Sequence, residues 1–119
     1  TKPHIISEIH KEYLEAGADI IETNTFNSTS ISMQDYHMSD LAAEINLAAA
    51  KLARNAADEY TKKNTDKPRF VAGSIGPTNK TASMSPRVEE PMFRAATFVD
   101  FKSAYKEQIL ALIEGENIF

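Results

Sequence analysis

Apolar positions recur at four-residue spacing near the start of the chain, at Ile5, Ile9 and Tyr13, with Ile6 beside them. Glu8, Lys11, Glu12 and Glu15 lie largely opposite. This period predicts an amphipathic helix over residues 4–16, closed by Gly17. The pattern then changes. Residues 18–26 contain the consecutive pair Ile20 and Ile21, followed by the β-branched Thr23 and Thr25. That composition predicts a short strand buried on both faces. A long stripe of Leu41, Ile45, Ala48, Ala49, Leu52, Ala56 and Tyr60 predicts a helix from Leu41 to Lys63, capped by Ser39 or Asp40. Its many alanines permit close approach to a sheet. A turn through Asn64 to Pro68 leads into Phe70-Val71-Ala72-Gly73-Ser74-Ile75, a second buried strand expected to run parallel and adjacent to the first. Gly76-Pro77 ends it, because proline offers no ladder N–H.

A polar, proline-bearing stretch of about twenty residues then passes before Phe98, long enough to suggest a functional loop. Asp100 is placed to cap a final helix with Phe101, Ala104, Tyr105, Gln108, Ile109 and Leu112 on one side; Gly115 is expected to stop it, and Ile118 and Phe119 to begin another strand. The junction Leu14-Glu15-Ala16-Gly17-Ala18-Asp19-Ile20-Ile21 can be laid on Leu112-Ile113-Glu114-Gly115-Glu116-Asn117-Ile118-Phe119. Repeated helix-to-strand junctions are what βα units produce, so the fold class is α/β with a parallel sheet. The chain opens on a helix with no strand before it and stops inside a third strand. It is therefore expected to be a piece, residues 1–119, of a larger domain.

Composition narrows the functions. With 42% hydrophobic and 25% charged residues the chain has material for a core, which excludes disorder over most of its length. The net charge of -4 is spread as interleaved signs without a basic run, so a nucleic-acid footprint is missing. No apolar run approaches the roughly 20 residues that cross a bilayer. The start Thr1-Lys2-Pro3-His4 is unlike a secretion signal, and the expected compartment is cytoplasmic. The absence of cysteine removes disulfides, thiolate nucleophiles and thiolate metal ligands from this chain. Asn27-Ser28-Thr29 and Asn79-Lys80-Thr81 fit the glycosylation pattern by chance.

Candidate chemistry gathers where the strands end. Glu22, Thr23, Asn24, Thr25, Phe26 and Asn27 follow the first strand; Ser74, Gly76, Pro77, Thr78, Asn79 and Lys80 follow the second. Neutral hydrogen bonders of this kind suit an amino-acid ammonium and carboxylate better than bond breaking. Glu22, Thr23, Asn24, Thr25, Asn27, Ser74 and Gly76 form the expected substrate-binding set, and no catalytic residue or metal ligand is assigned. Glu22 can receive an ammonium or serve as a structural acid bonded to loop N–H groups. Asn24 and Asn27 can face substrate or tie the loop to itself, and Phe26 reads as packing. Gly73 and Gly76 lack the full dinucleotide fingerprint. His4, His10 and His37 lack metal-ligand spacing and read as surface or capping residues; Met33, Tyr36 and Met38 read as loop packing.

The segment Ala16-Gly17-Ala18-Asp19-Ile20-Ile21-Glu22-Thr23-Asn24-Thr25-Phe26-Asn27-Ser28-Thr29 resembles the second-strand motif of the homocysteine-binding domain in cobalamin-dependent methionine synthases. Residues 43–54 resemble the helix that follows in that family. Val71-Ala72-Gly73-Ser74-Ile75-Gly76-Pro77-Thr78-Asn79-Lys80-Thr81-Ala82-Ser83 resembles the next strand and loop. The Gly-Ala-Asp junction and the Gly-Pro turn are shared with homocysteine methyltransferases in general. The resemblance implies a partial (β/α)8 TIM barrel of about two to three βα units, with homocysteine as substrate. It also implies methyl transfer from methylcobalamin, itself charged from 5-methyltetrahydrofolate, to give methionine. Zinc and cobalamin are the implied cofactors of the parent enzyme, neither expected to bind this piece alone. The zinc-ligand cysteines, the remaining barrel, and the folate, cobalamin and reactivation modules would lie elsewhere, and Asn27 would sit near the metal without ligating it. A reading of another class stays open on the residues alone: a small non-catalytic βα module whose polar strand ends bind a metabolite or a protein.

Overall fold

The computed structural model describes residues 2–33, 39–77 and 97–116. In chain order the elements are α1 (Pro3–Glu15), β1 (Ile20–Glu22), α2 (Ser30–Met33), a 3-10 turn (Ser39–Leu41), α3 (Ala42–Lys63), β2 (Phe70–Ala72) and α4 (Phe98–Glu116). β1 and β2 pair in parallel, as expected, with Ile20 opposite Phe70, Ile21 opposite Val71 and Glu22 opposite Ala72. The Phe70 N–H donates to the Asp19 carbonyl at 2.8 Å, and the Thr23 N–H to the Ala72 carbonyl at 2.9 Å. The paired stretch is shorter than the expected 18–26 and 70–75, because side-chain bonds take over from the ladder beyond Thr23.

Pro3 sits in the first turn of α1, where its missing N–H costs nothing. The helix ends in a Schellman closure: the Ala18 N–H reaches back to the Tyr13 carbonyl at 3.0 Å and the Gly17 N–H to Leu14 at 3.1 Å. Gly17 has φ +107°, which only glycine adopts freely. The face of α1 that enters the core is His10 and Leu14, one residue on from the expected Ile5, Ile9 and Tyr13, which are exposed. Leu14 joins Ile21, Ala53, Ala56 and Ala57 in the main apolar cluster, with Ala18, Tyr60 and Val71 against it.

The same shift of one position occurs on α3. Its buried face is Ala42, Asn46, Ala50, Ala53, Ala56 and Ala57. Of the expected stripe only Ala56 is fully buried, and Leu41 and Ala48 are exposed. Small side chains win because α3 is packed against α4, α1 and both strands at once, leaving no room for leucine on that side. The expected cap at Ser39 or Asp40 is not how α3 starts. A 3-10 turn occupies those residues, and the N-cap position falls to Leu41, which has no side-chain acceptor. Burial on both strand faces is also not found among the described residues: Ile21 is 4% exposed and Ile20 60%. The described helices cover one face of the sheet, and the other face, with Ile20 and Phe70, is open.

At the start of the strands, Arg69 is buried and its Nη1 donates to the carbonyls of Leu14 at 2.6 Å and Ala18 at 2.9 Å. Lys67 Nζ donates to the Gly17 carbonyl at 2.9 Å. The turn after α3 thus adds side-chain donors to the carbonyls of the α1–β1 junction, on Leu14 beside the Gly17 N–H it already accepts.

α4 opens on a capping box rather than on Asp100 alone. The Asp100 N–H donates to Thr97 Oγ1 at 3.2 Å, and the Thr97 N–H donates to Asp100 Oδ2 at 2.9 Å. That second bond holds the Asp100 carboxyl below its ordinary range. The helix runs through Gly115 to Glu116 instead of stopping there. Gly115 is a contact: a Cβ at this position would lie 2.6 Å from Ala50 Cβ and 2.7 Å from the Leu47 carbonyl oxygen. The expected third strand at Ile118 and Phe119, and the loop over residues 78–96, lie outside the described residues.

Two expected outcomes follow from this packing. Gly115→Ala should lower the unfolding free energy by up to about 2 kcal/mol. Overpacking against groups that cannot rotate away costs about 1–3 kcal/mol, and alanine recovers only about 1 kcal/mol of helix propensity. Denaturant titration checks this, and a more stabilised variant would mean that α3 and α4 part freely. The second concerns His10, whose burial lowers its imidazole pKa below the ordinary 6.5. The unfolded chain then takes up that proton first, so stability is full above about pH 6.5 and declines as pH falls toward the folded value. Comparing unfolding free energies at pH 7 and pH 5, His10→Leu should lose less on acidification than the parent sequence. Parallel losses would show that the imidazole titrates alike folded and unfolded.

Candidate functional site

Parallel pairing brings the ends of β1 and β2 to the same side of the molecule, and alternation along β1 sorts their side chains. Glu22 and Asn24 are exposed on the open face, whereas Thr23 and Thr25 are buried on the helix side. The Thr23 and Thr25 hydroxyls are 2.7 Å apart. Thr25 Oγ1 donates to the Ser74 carbonyl at 2.7 Å, and the Ser74 N–H donates to Thr23 Oγ1 at 2.9 Å. Two threonines therefore continue the join between the strands after the ladder stops. With Thr25 Oγ1 giving its proton to Ser74, the proton between the hydroxyls belongs to Thr23.

Behind this join stands a second layer of side chains carried by helices. Gln108 of α4 donates from Nε2 to the Thr25 carbonyl at 2.8 Å and to Asn46 Oδ1 at 3.1 Å. Asn46 of α3 donates from Nδ2 to the Ser28 carbonyl at 2.6 Å and to the Ala42 carbonyl at 2.7 Å. Main-chain carbonyls only accept, so both amide nitrogens must face them, and this fixes the orientation of each amide. Tyr105, one turn before Gln108, donates its hydroxyl to the Gly76 carbonyl at 3.0 Å. The Gly76 N–H donates to the Phe26 carbonyl at 3.1 Å, and the ring of Phe26 rests against Gly76. Thr29 Oγ1 accepts from the Ser32 N–H at 3.2 Å, starting α2, where Ile31 and Met33 are buried.

Of the expected substrate-binding set, Glu22, Asn24 and Asn27 present exposed side chains and Ser74 a half-buried one. Thr23 and Thr25 have their hydroxyls engaged within the protein, and Gly76 uses both main-chain groups to join the loops. Phe26 remains about half exposed while touching Gly76. Glu22 and Asn24 border a groove of about 500 Å³ that runs beside β1 against Ile6, Ile9 and Tyr13 of α1. Asn46, Gln108 and Tyr105 are the supporting residues that the candidate list lacked. The available signal was a polar amide at an apolar stripe position, which holds for Gln108; Asn46 became visible only once the alanine face of α3 was known. Tyr36, His37, Met38, Thr78, Asn79 and Lys80 lie outside the described residues.

Zinc needs about four N, S or O donors converging on one point. The chain has no cysteine, and no three of His, Asp and Glu come together among the described residues. Among the described residues, the buried Nε2 of His10 has no polar partner. The described residues do not supply a zinc site.

Known structures share this fold. The metallated form of the homocysteine methyltransferase MmuM from Escherichia coli superposes with a TM-score of 0.72 at 21% identity, over 95% of this chain and 39% of that one. The oxidized form of the same enzyme gives 0.71 at 21% identity, with the same coverage. This chain thus spans well under half the length of those structures, and the likeness is one of fold. The model of the homocysteine S-methyltransferase family matches residues 1–117. With all but its last two residues inside that match, the chain belongs to the homocysteine S-methyltransferase family.

Proposed function

We propose that this chain is part of a (β/α)8 barrel that transfers a methyl group to homocysteine, and that its strand ends hold the amino-acid end of the substrate. The observation that carries this reading is the sorting of side chains at the strand ends. Glu22 and Asn24 are presented on the open side and Asn27 is exposed in the turn that follows, while Thr23 and Thr25 are used up behind them. In the proposed barrel the open face of the sheet is the inner one, and strand C-termini form the mouth where substrates bind. Glu22 then receives the ammonium, and the amides of Asn24 and Asn27 hold the carboxylate. Thr23, Thr25 and Gly76 keep the platform in register, and Ser74 offers its hydroxyl beside it.

In the transfer, the homocysteine thiol gives up its proton to solvent and its sulfur bonds to the methyl carbon, while the bond from methyl to donor breaks and its electron pair stays with the donor, giving methionine. Holding the amino-acid end fixes where the sulfur lies, which is a contribution of orientation. The sequence likeness of Glu22-Thr23-Asn24-Thr25-Phe26 and Pro77-Thr78-Asn79 to cobalamin-dependent methionine synthases makes methylcobalamin the proposed donor. The zinc donors and the folate, cobalamin and reactivation modules are assigned to other parts of that protein. The cytoplasm is the proposed compartment.

Asn24→Ala in the whole protein tests the assignment. Losing one hydrogen bond to a carboxylate costs about 1.5–3 kcal/mol, so the homocysteine KM should rise by about ten- to 150-fold. The melting temperature should hold, because Asn24 is exposed. Steady-state kinetics with varied homocysteine and a melting curve read the two quantities. An unchanged KM would make Asn24 a loop residue, and the substrate would have to be held elsewhere.

A further inference from the structure

We propose that Gln108 and Asn46 are positioning residues that set the homocysteine-binding loops from inside the protein, without touching the substrate. The inference rests on the reading of the strand ends as the homocysteine site and adds the device that holds them in place. Both side chains are fully buried, at 0% exposure, among apolar neighbours of α3 and α4. A buried amide costs stability unless its hydrogen bonds are made, and Gln108 Oε1 has no partner among the described residues. Leucine or methionine would fill the same space without that cost. What the amides accomplish is the capture of loop carbonyls: Thr25 by Gln108 and Ser28 by Asn46, with Gly76 held by Tyr105 from the same helix as Gln108.

Those carbonyls bracket the exposed residues. Thr25 and Ser28 flank Phe26 and Asn27, and Asn24 precedes them directly. The Thr25 carbonyl also accepts the Ser28 N–H at 3.0 Å, closing a turn around Phe26 and Asn27. Fixing the Thr25 carbonyl from behind fixes the plane of the next peptide and therefore the direction in which the turn presents its side chains. The Gln108 to Asn46 bond makes the two anchors one unit, so α3 and α4 hold the turn from both of its ends.

Gln108→Met is the informative variant, because it keeps volume and helix propensity while removing the donor. Hydrogen exchange on the whole protein should show the Ser28 and Gly76 amides exchanging about three- to tenfold faster, with the β1–β2 ladder amides of Phe70 and Thr23 unaltered. In the same variant the homocysteine KM should rise by a similar factor while the KM for the methyl donor stays. Asn46→Leu should behave alike, and the double variant should be no worse than about the larger single effect. Unchanged exchange at Ser28 and Gly76 would overturn the positioning role. So would faster exchange with an unchanged homocysteine KM, whatever the melting temperature, since that is the result of a purely structural amide. A wild-type protein that transfers no methyl group to homocysteine would instead refute the proposed function and, with it, the assignment of what these loops bind; the exchange result would still decide whether Gln108 holds them.

Discussion

The rest of the structure depends on how closely other elements can approach α3. One helix packs against α1, both strands and α4, which is possible because its inner face is almost all alanine: Ala42, Ala50, Ala53, Ala56 and Ala57. Alanine presents no more than a methyl group, so backbones come near enough for side chains on one element to reach carbonyls on another. Gly115 extends this economy of volume to α4, where even a methyl group would collide with Ala50 and Leu47. The hydrogen bonds of the strand-end loops are a result of that closeness. Asn46 can reach Ser28, and Gln108 can reach Thr25, because nothing bulky stands between.

Much of the fold was legible in the order of periods along the chain. The change from four-residue spacing to the Ile20-Ile21 pair, and the glycine and proline punctuation around 17 and 76, marked the helices, the strands and their parallel pairing. Faces were less legible. The rule that large apolar residues point inward misplaced the stripes of α1 and α3 by one residue, since the inward faces carry Leu14 with His10 and a row of alanines. Ile5, Ile9, Tyr13 and Leu41 make hydrophobic patterns as strong as any core stripe, yet no described element covers them. Helix ends were misread for a related reason. Asp100 and Gly115 carry the right chemistry for a cap and a stop, but the geometry used one as the last residue of a capping box and the other as a contact.

At the candidate site, the sequence pointed to the two strand ends, and the structure separates the side chains that are exposed there from those bonded within the protein. In an extended chain adjacent residues face opposite ways, so Thr23 and Thr25 could not share a side with Glu22 and Asn24. Residue type gave no hint of which set was inside, because threonine and asparagine are equally able to bind substrate or backbone. Gln108 drew no attention because it stood within an apolar stripe. The polar residues that were easiest to notice are the exposed ones, whereas the ones holding the loops are hidden by their burial.

Arg69 and Lys67 lie at the opposite end of the strands from Glu22 and Asn24, binding the carbonyls of Leu14, Gly17 and Ala18. The arginine and lysine anchorage stands at one pole of the sheet and the proposed recognition at the other, separated by the length of the strands. Drift in the exposed residues at the mouth therefore leaves the anchorage at the base untouched. A lineage built on this plan can diversify what it recognises while inheriting the same architecture.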